Sequence, residues 1–165
     1  MKKISLFYYS HHGNTRFLAN HIADALGTVP KELSLKEEIP VKEFVRFLRE
    51  TSLEEKKQRL ILEDSPRIDE SWDLIIVGSP VWAHTAAPEI LGLLLNYLPR
   101  KIPIAVFYSH GGKPEGFLKE IRAMVPDNPV ISHCGFQSPL MSTDVAGKRV
   151  REWIQECVAG YLYEK

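Results

Sequence analysis

The sequence lacks an excess of charge of either sign, because 21 lysine and arginine residues balance 21 aspartate and glutamate residues. It therefore lacks the broad field of one sign that attracts nucleic acid or anionic lipid, and we expect neither as a partner. It also lacks any apolar run near the roughly 18 residues that span a bilayer. The short apolar run after the N-terminal lysines ends at Ser10 and does not resemble a signal peptide.

Cysteine is scarce as well. Cys134 and Cys157 lie far apart and form no C-x-x-C pattern, which indicates buried thiols in a reducing compartment rather than a disulfide framework. Together with the missing signal peptide, this predicts a cytoplasmic protein. The length of 165 residues and the 44% hydrophobic content are typical of one globular domain, which we predict to cover residues 1–165.

What the sequence does contain is a regular alternation of strand and helix patterns. Short apolar runs rich in β-formers alternate with segments of helical spacing, and the predicted strands cover residues 4–9, 29–35, 73–78, 102–109 and 130–136. Continuous apolar strands favour a parallel sheet that helices cover on both faces, which predicts an α/β three-layer sandwich. Residues 36–70, rich in Glu, Lys and Arg, predict one or two surface helices packed over the sheet edge or acting as a lid.

Ligands of such sheets bind beyond the carboxyl ends of the strands, which directs attention to residues 10–15, 79–85 and 109–116. The first of these loops leads into a predicted helix, whose unpaired N–H groups and partial positive charge favour a phosphate. Gly13 permits close backbone approach, and the neighbouring hydroxyl and amide side chains can donate hydrogen bonds. The alternative is that Ser10, Asn14 and Thr15 only cap the helix. The P-loop and dinucleotide-binding glycine patterns are both absent.

The other two loops suit a flat ligand. Trp82 follows the clearest predicted strand and is well placed to stack on a planar ring, although it would also fit as a residue that packs under its own loop. Gly111 and Gly112 leave room for a ligand against the backbone, or form an ordinary turn. A phosphate site beside a flat slot is typical of a mononucleotide with a planar base.

Three segments, YYSHHGNTRFLANHIADAL, DLIIVGSPVWAHTAAPEI and AVFYSHGGKPEG, resemble those of flavodoxins and related flavodoxin-like proteins, in the same order and at similar spacing. The resemblance covers nearly the whole chain. It implies a five-stranded parallel sheet in the order 2-1-3-4-5 and non-covalently bound flavin mononucleotide (FMN). By motif position, it implies a phosphate site of Ser10, His11, His12, Gly13, Asn14 and Thr15, and a flavin-ring site of Pro80, Val81, Trp82, Ala83, His84 and Thr85 on one side and Ser109, His110, Gly111 and Gly112 on the other, with Gly116 near it.

Three features depart from the family pattern. His12 stands where the family usually has threonine, and the chain is neutral where flavodoxins are strongly acidic. Residues 80–85 contain no glycine, whereas flavodoxins often have one whose peptide turns over toward the reduced flavin. We expect Ala83 to resist a positive φ.

The sequence predicts an FMN-binding redox protein that transfers electrons to a partner protein or to a small acceptor such as a quinone. An alternative is a reductase of quinones or flavins that uses NAD(P)H, and a second alternative is an interaction module of the same fold without flavin. His84 and His110 are candidate hydrogen-bond donors to flavin or substrate. We assign no catalytic residue and no metal site, and a homodimer fits the Leu-rich helix at residues 90–98 or the segment at residues 36–60.

Overall fold

Five parallel strands form the central sheet in the computed structural model, which describes residues 1–163. The sheet order is β2-β1-β3-β5-β6, and the short β4 pairs antiparallel with β3 beside it. Counted without β4, this is the predicted 2-1-3-4-5 order, so the predicted α/β sandwich is confirmed. The strands are β1 (Ile4–Tyr8), β2 (Pro30–Glu32), β3 (Leu74–Trp82), β4 (Thr85–Ala86), β5 (Ile104–His110) and β6 (Val130–Gln137).

The helices follow the predicted alternation. Helix α5 (Phe117–Met124) begins after its N-cap Gly116 (φ 83°), and Pro114 belongs to the turn before it. A 3-10 turn at Pro139–Met141 precedes the C-terminal helices, which a π-helix at Ile154–Val158 interrupts. The α-helices are α1 (Asn14–Leu26), α2 (Val41–Glu50), α3 (Leu53–Arg59), α4 (Pro88–Asn96), α5 (Phe117–Met124), α6 (Thr143–Trp153) and α7 (Ala159–Tyr163).

Each face of the sheet carries its own apolar core. Leu6 belongs to the core shared with α1 and α6, whereas its neighbour Phe7 belongs to the core shared with α4 and α5. This alternation along one strand follows from side chains that point to opposite faces of a sheet. Both faces are covered, as the continuous apolar strands predicted.

Two aromatic side chains of β5 lie across glycines of the neighbouring strands. A Cβ at Gly78 would lie 2.0 Å from the Phe107 ring, and one at Gly135 would lie 2.5 Å from the Tyr108 ring. Close packing therefore requires glycine at both positions. These contacts hold the last residues of β5 in place, immediately before the third candidate loop.

The segment at residues 36–70 forms the two predicted surface helices, and part of it belongs to the core. Phe44 of α2 is 2% exposed, and Leu60 and Leu62, after α3, are fully buried. A Cβ at Gly92 of α4 would lie 2.6 Å from the backbone oxygen of Leu60, so α4 and this segment are in close contact. The segment therefore packs over the α4 side of the sheet and is held there by buried apolar side chains.

The scarce cysteines agree with the prediction as far as the structure describes them. Cys134 is buried in the core against α6, and the side chain of Cys157 lies outside the described part. Across residues 1–163, no helix has both the length and the apolar character that crossing a membrane would require.

Candidate functional site

The N-terminus of α1 is open to an anion. Gly13 is its N-cap, with a left-handed φ of 94°, and its N–H donates to Ser10 Oγ at 3.1 Å. Among residues 1–163, no side chain caps this helix and no acidic residue lies in its first turn. Ser10 therefore binds only the N-cap N–H, and Asn14 and Thr15 bind other segments rather than the first-turn N–H groups. The first-turn N–H groups and the positive end of the helix dipole stay available to a ligand.

The side chains of this loop are instead tied to other parts of the chain. The Thr15 hydroxyl lies 2.9 Å from the Ser109 hydroxyl at the end of β5, where both are buried. Asn14 Oδ1 accepts a hydrogen bond of 3.2 Å from the N–H of Leu140. The turn that contains Leu140 thus borders the phosphate loop, and no sequence pattern indicated this because Leu140 lies 126 residues from Asn14.

The second candidate loop is a β-hairpin rather than an irregular loop. Residues 79–82 continue β3, Val81 pairs with Ala86, and Trp82 pairs with Thr85. The two turn residues have positive φ angles, 47° at Ala83 and 65° at His84. The expectation that Ala83 resists a positive φ is wrong, because this two-residue hairpin has positive φ at both turn positions, as in the type I′ turn that matches the twist of its strands.

Replacing Ala83 with glycine is expected to stabilise the protein by about 0.5–1 kcal/mol, because the left-handed region is strained for alanine and free of strain for glycine. Urea unfolding measures the change. Ala25→Gly, at an exposed position inside α1, is the control, and it is expected to destabilise the protein by a similar amount. Destabilisation by Ala83→Gly would contradict the strained turn.

Trp82 packs against residues from three different segments. Its ring centroid lies 5.6 Å from those of Tyr9 and His11 and 5.8 Å from that of Phe44, all in edge-on arrangements. The tryptophan is thus supported by the residue that follows β1, by the phosphate loop and by α2, and it does not pack only under its own hairpin. Burial, with the negative charge of Glu89 next in importance, raises the pKa of Tyr9 to about 12, so Tyr9 stays a neutral hydrogen-bonding group.

The third candidate loop orients two imidazoles. His110 is the last residue of β5, and its Nδ1 accepts a hydrogen bond of 3.1 Å from the N–H of Gly112. Burial lowers the pKa of His110, which favours the neutral ring. Because Nδ1 accepts a hydrogen bond, the neutral ring carries its proton on Nε2. His84 Nδ1 donates to the backbone oxygen of Glu115 at 2.9 Å. This bond, together with Gly116 beside the His84 side chain, joins the hairpin to the third loop.

The structure brings most of the predicted phosphate residues together with residues of the two ring-side segments. They line a small cavity of about 50 Å³. Val81 is half-buried against the core, and Gly111 is exposed. Ala83, His84, Thr85 and Gly116 line a larger cavity, and His110 lines a third one with Tyr108 and Arg149. The residues around the small cavity are Ser10, His11, His12, Asn14, Thr15, Pro80, Trp82 and Ser109.

A buried carboxyl group near the hairpin was not predicted from the sequence. Glu89 is only 5% exposed, and its Oε2, like Thr85 Oγ1, has no hydrogen-bond partner among the described residues. Burial raises the pKa of Glu89 to about 7. A hydrogen bond from its own backbone N–H partly opposes this shift, whereas the negative charge of Glu38 adds to it. A glutamate in the first turn of a helix is ordinarily a solvated residue that favours the dipole, so its sequence position did not indicate burial.

Comparison with known proteins supports the fold independently. No family model and no curated protein sequence matches the chain. Among solved structures, a candidate flavoprotein from Bacteroides uniformis aligns with a TM-score of 0.73 at 18% identity, covering 94% of this chain and 99% of its own. A flavoprotein from Lactobacillus acidophilus, crystallised in complex with FMN, gives 0.64 at 21% identity over 87% and 98%. A flavodoxin, WrbA-like protein from Agrobacterium tumefaciens gives 0.55 at 11% identity over 100% of both. The chain therefore has the flavodoxin-like fold.

Proposed function

We propose that this chain binds FMN non-covalently and acts as a redox flavoprotein. The observation that carries the proposal is the uncapped N-terminus of α1, which opens onto a cavity shared by all three candidate loops. The phosphate would be held by first-turn N–H groups of α1 and by the side chains of Ser10, Asn14 and Thr15. His11 and His12 belong to the same loop and are exposed, so their ring nitrogens can also donate hydrogen bonds to the phosphate.

The remaining site residues suit a flat, partly polar ring. Pro80, Val81, Trp82, Ala83, His84 and Thr85 would flank one side of the ring, and Ser109, His110, Gly111, Gly112 and Gly116 the other side. Trp82 would cover the ring and exclude water, and Nε2–H of His110 is a donor for a ring or substrate oxygen. Bound FMN would supply the capacity to accept and return electrons, while the protein binds and orients it. The FMN in the Lactobacillus acidophilus structure of the same fold supports this choice of cofactor.

Addition of FMN to the purified protein tests the proposal directly. We expect the protein to be yellow as purified, or to take up added FMN at one site with quenching of flavin fluorescence. A colourless protein that takes up no FMN would overturn the proposal and favour the interaction module without flavin.

Trp82→Ala is expected to weaken FMN binding about tenfold, because it removes a large aromatic surface from the ring site. Flavin fluorescence titration measures the dissociation constant. Trp82→Phe is the matched control and is expected to retain most of the affinity, since it keeps an aromatic ring in contact with Phe44 and Tyr9. Unchanged affinity in Trp82→Ala would remove this residue from the site.

Two modes of use remain for a bound flavin. In the first, electrons pass to and from a redox partner protein. In the second, NAD(P)H reduces the flavin and a quinone or free flavin receives the electrons; the chain's balanced charge and the large cavity beside the hairpin both favour this candidate. Anaerobic titration of the FMN-loaded protein with NADH and NADPH separates them. Rapid bleaching indicates a reductase, whereas bleaching only by dithionite or by a reductase protein indicates electron transfer.

Three predictions made from the sequence concern the domain, the location and the oligomeric state of the protein. A single domain over residues 1–165, a cytoplasmic location and a homodimer stay predictions. Sedimentation of the FMN-loaded protein over a range of concentrations tests the homodimer.

A further inference from the structure

A second, larger cavity lies beside the hairpin, between the α2–α3 segment and helices α4 and α5. Its volume is about 720 Å³, within the range of roughly 300–1,000 Å³ that is typical of sites for small molecules. The walls come from four helices and the two ring-side segments, so the cavity exists only because residues 36–70 pack against the sandwich. Its apolar walls are formed by Val45, Leu48, Leu53, Leu91, Leu95 and Met124.

The charged groups around this cavity balance one another. Arg49 and Lys56 are matched by Glu115 and Glu120, and all but the half-buried Lys56 are exposed. The ammonium group of Lys56 is engaged by the backbone oxygen of Leu48 at 3.1 Å. The cavity therefore has no net charge that would select an ionic ligand, and an ion would lose its hydration there without a matching partner.

Two of the apolar side chains that line the cavity are largely exposed to solvent. Val45 is 43% exposed and Leu53 is 53% exposed, although both line the cavity. An apolar ligand would remove this surface from water, which is the main source of affinity in such sites.

The hairpin connects this cavity with the proposed FMN site. Trp82 lines the small phosphate cavity, whereas the next three residues, Ala83, His84 and Thr85, line the large one. The walls are otherwise preformed by packed helices, which lowers the entropic cost of binding.

We propose that the large cavity is a binding site for an uncharged, apolar ring compound. It is distinct from the small cavity proposed for the FMN phosphate, and it borders the proposed flavin-ring site at Ala83, His84 and Thr85. Aliphatic walls with balanced rim charges recognise the faces of such a molecule without requiring an ionic group. The apolar walls come from the helices and not from the residues proposed to hold FMN, so the inference and the proposed function are tested separately.

The test uses the purified full chain and the uncharged fluorescent probe N-phenyl-1-naphthylamine, whose emission rises in apolar surroundings. We expect saturable binding of one probe per chain in the protein without FMN. Val45→Glu and Leu53→Glu, which place a carboxylate at the cavity wall from exposed helix positions, are each expected to weaken probe binding about tenfold or more.

Val41→Glu is the matched control, because Val41 lies on the same helix as Val45, is 50% exposed and does not line the cavity. We expect it to bind the probe like the original protein, and we expect all three variants to bind FMN unchanged. Urea unfolding checks that each variant is folded. Absence of saturable probe binding, or equal losses in Val45→Glu and Val41→Glu, would overturn the inference. Loss of FMN binding in the original protein would overturn only the proposed function.

Discussion

Glu89→Gln is expected to raise the free energy of unfolding at pH 8 by about 3 kcal/mol relative to the original protein. The original carboxyl group is buried with an unpartnered Oε2. Its ionised form is therefore poorly solvated in the folded state, whereas the glutamine side chain has the same shape and carries no charge.

The direction of the pH dependence follows from the raised pKa. Burial raises the pKa of Glu89 from 4.5 to about 7, so the folded state holds this proton more tightly than the unfolded state. The resulting stability is fully present below pH 4.5 and is lost as the pH rises through 7. Between pH 5 and pH 8 the original protein should lose about 2 kcal/mol from this group, and the Gln variant should not.

Urea unfolding of both proteins at pH 5, 6, 7 and 8 measures the effect. Glu120→Gln, at an exposed position of α5, is the control and is expected to leave the shape of the pH profile unchanged. Parallel profiles for the original protein and Glu89→Gln would show that the carboxyl is not held in its neutral form.

Asn14→Asp is expected to weaken FMN binding about 100-fold, or about 3 kcal/mol, because it places a carboxylate beside the phosphate at the start of α1. The variant should remain folded. Its Oδ1 still accepts from the N–H of Leu140, and a negative charge at a helix N-terminus stabilises the helix. The expected loss therefore arises from repulsion of the phosphate and not from unfolding.

Riboflavin, which lacks the phosphate, is the matched ligand for this experiment. Its affinity should be the same in Asn14→Asp and in the original protein. Asn20→Asp, which adds the same charge at an exposed position of α1, should leave FMN binding unchanged. Equal losses for FMN and riboflavin in Asn14→Asp would contradict a phosphate site at this helix.

The sheet and its order could be predicted because the signals are local. The run at residues 74–78 is continuously apolar, which is typical of a strand buried on both faces, and β3 is indeed buried from Leu74 to Ser79. The phosphate loop could also be predicted from the sequence. Gly13 separates a strand from a helix, and the backbone geometry of a helix N-terminus favours an anion.

The hairpin could not be predicted, because it depends on pairing rather than on turn residues. Ala83 is a poor residue for positive φ, and the conformation of Ala83 and His84 is imposed by the pairing of Trp82 with Thr85. The burial of Glu89 could not be predicted either, because it also depends on contacts with other segments of the chain. Its place in the first turn of α4 is compatible with a solvated side chain, and only the packing of surrounding segments removes it from water.

By itself, the sequence determined the alternation of strands and helices, the parallel sheet and the position of the three candidate loops at one edge of it. These follow from apolar periodicity and from glycine placement, which act over a few residues. Only the tertiary structure decided that α1 is uncapped, that Ala83 is strained, that Glu89 is buried and that residues 36–70 enclose a second cavity. These depend on contacts between segments far apart in the chain, where pairing and burial outweigh local preference.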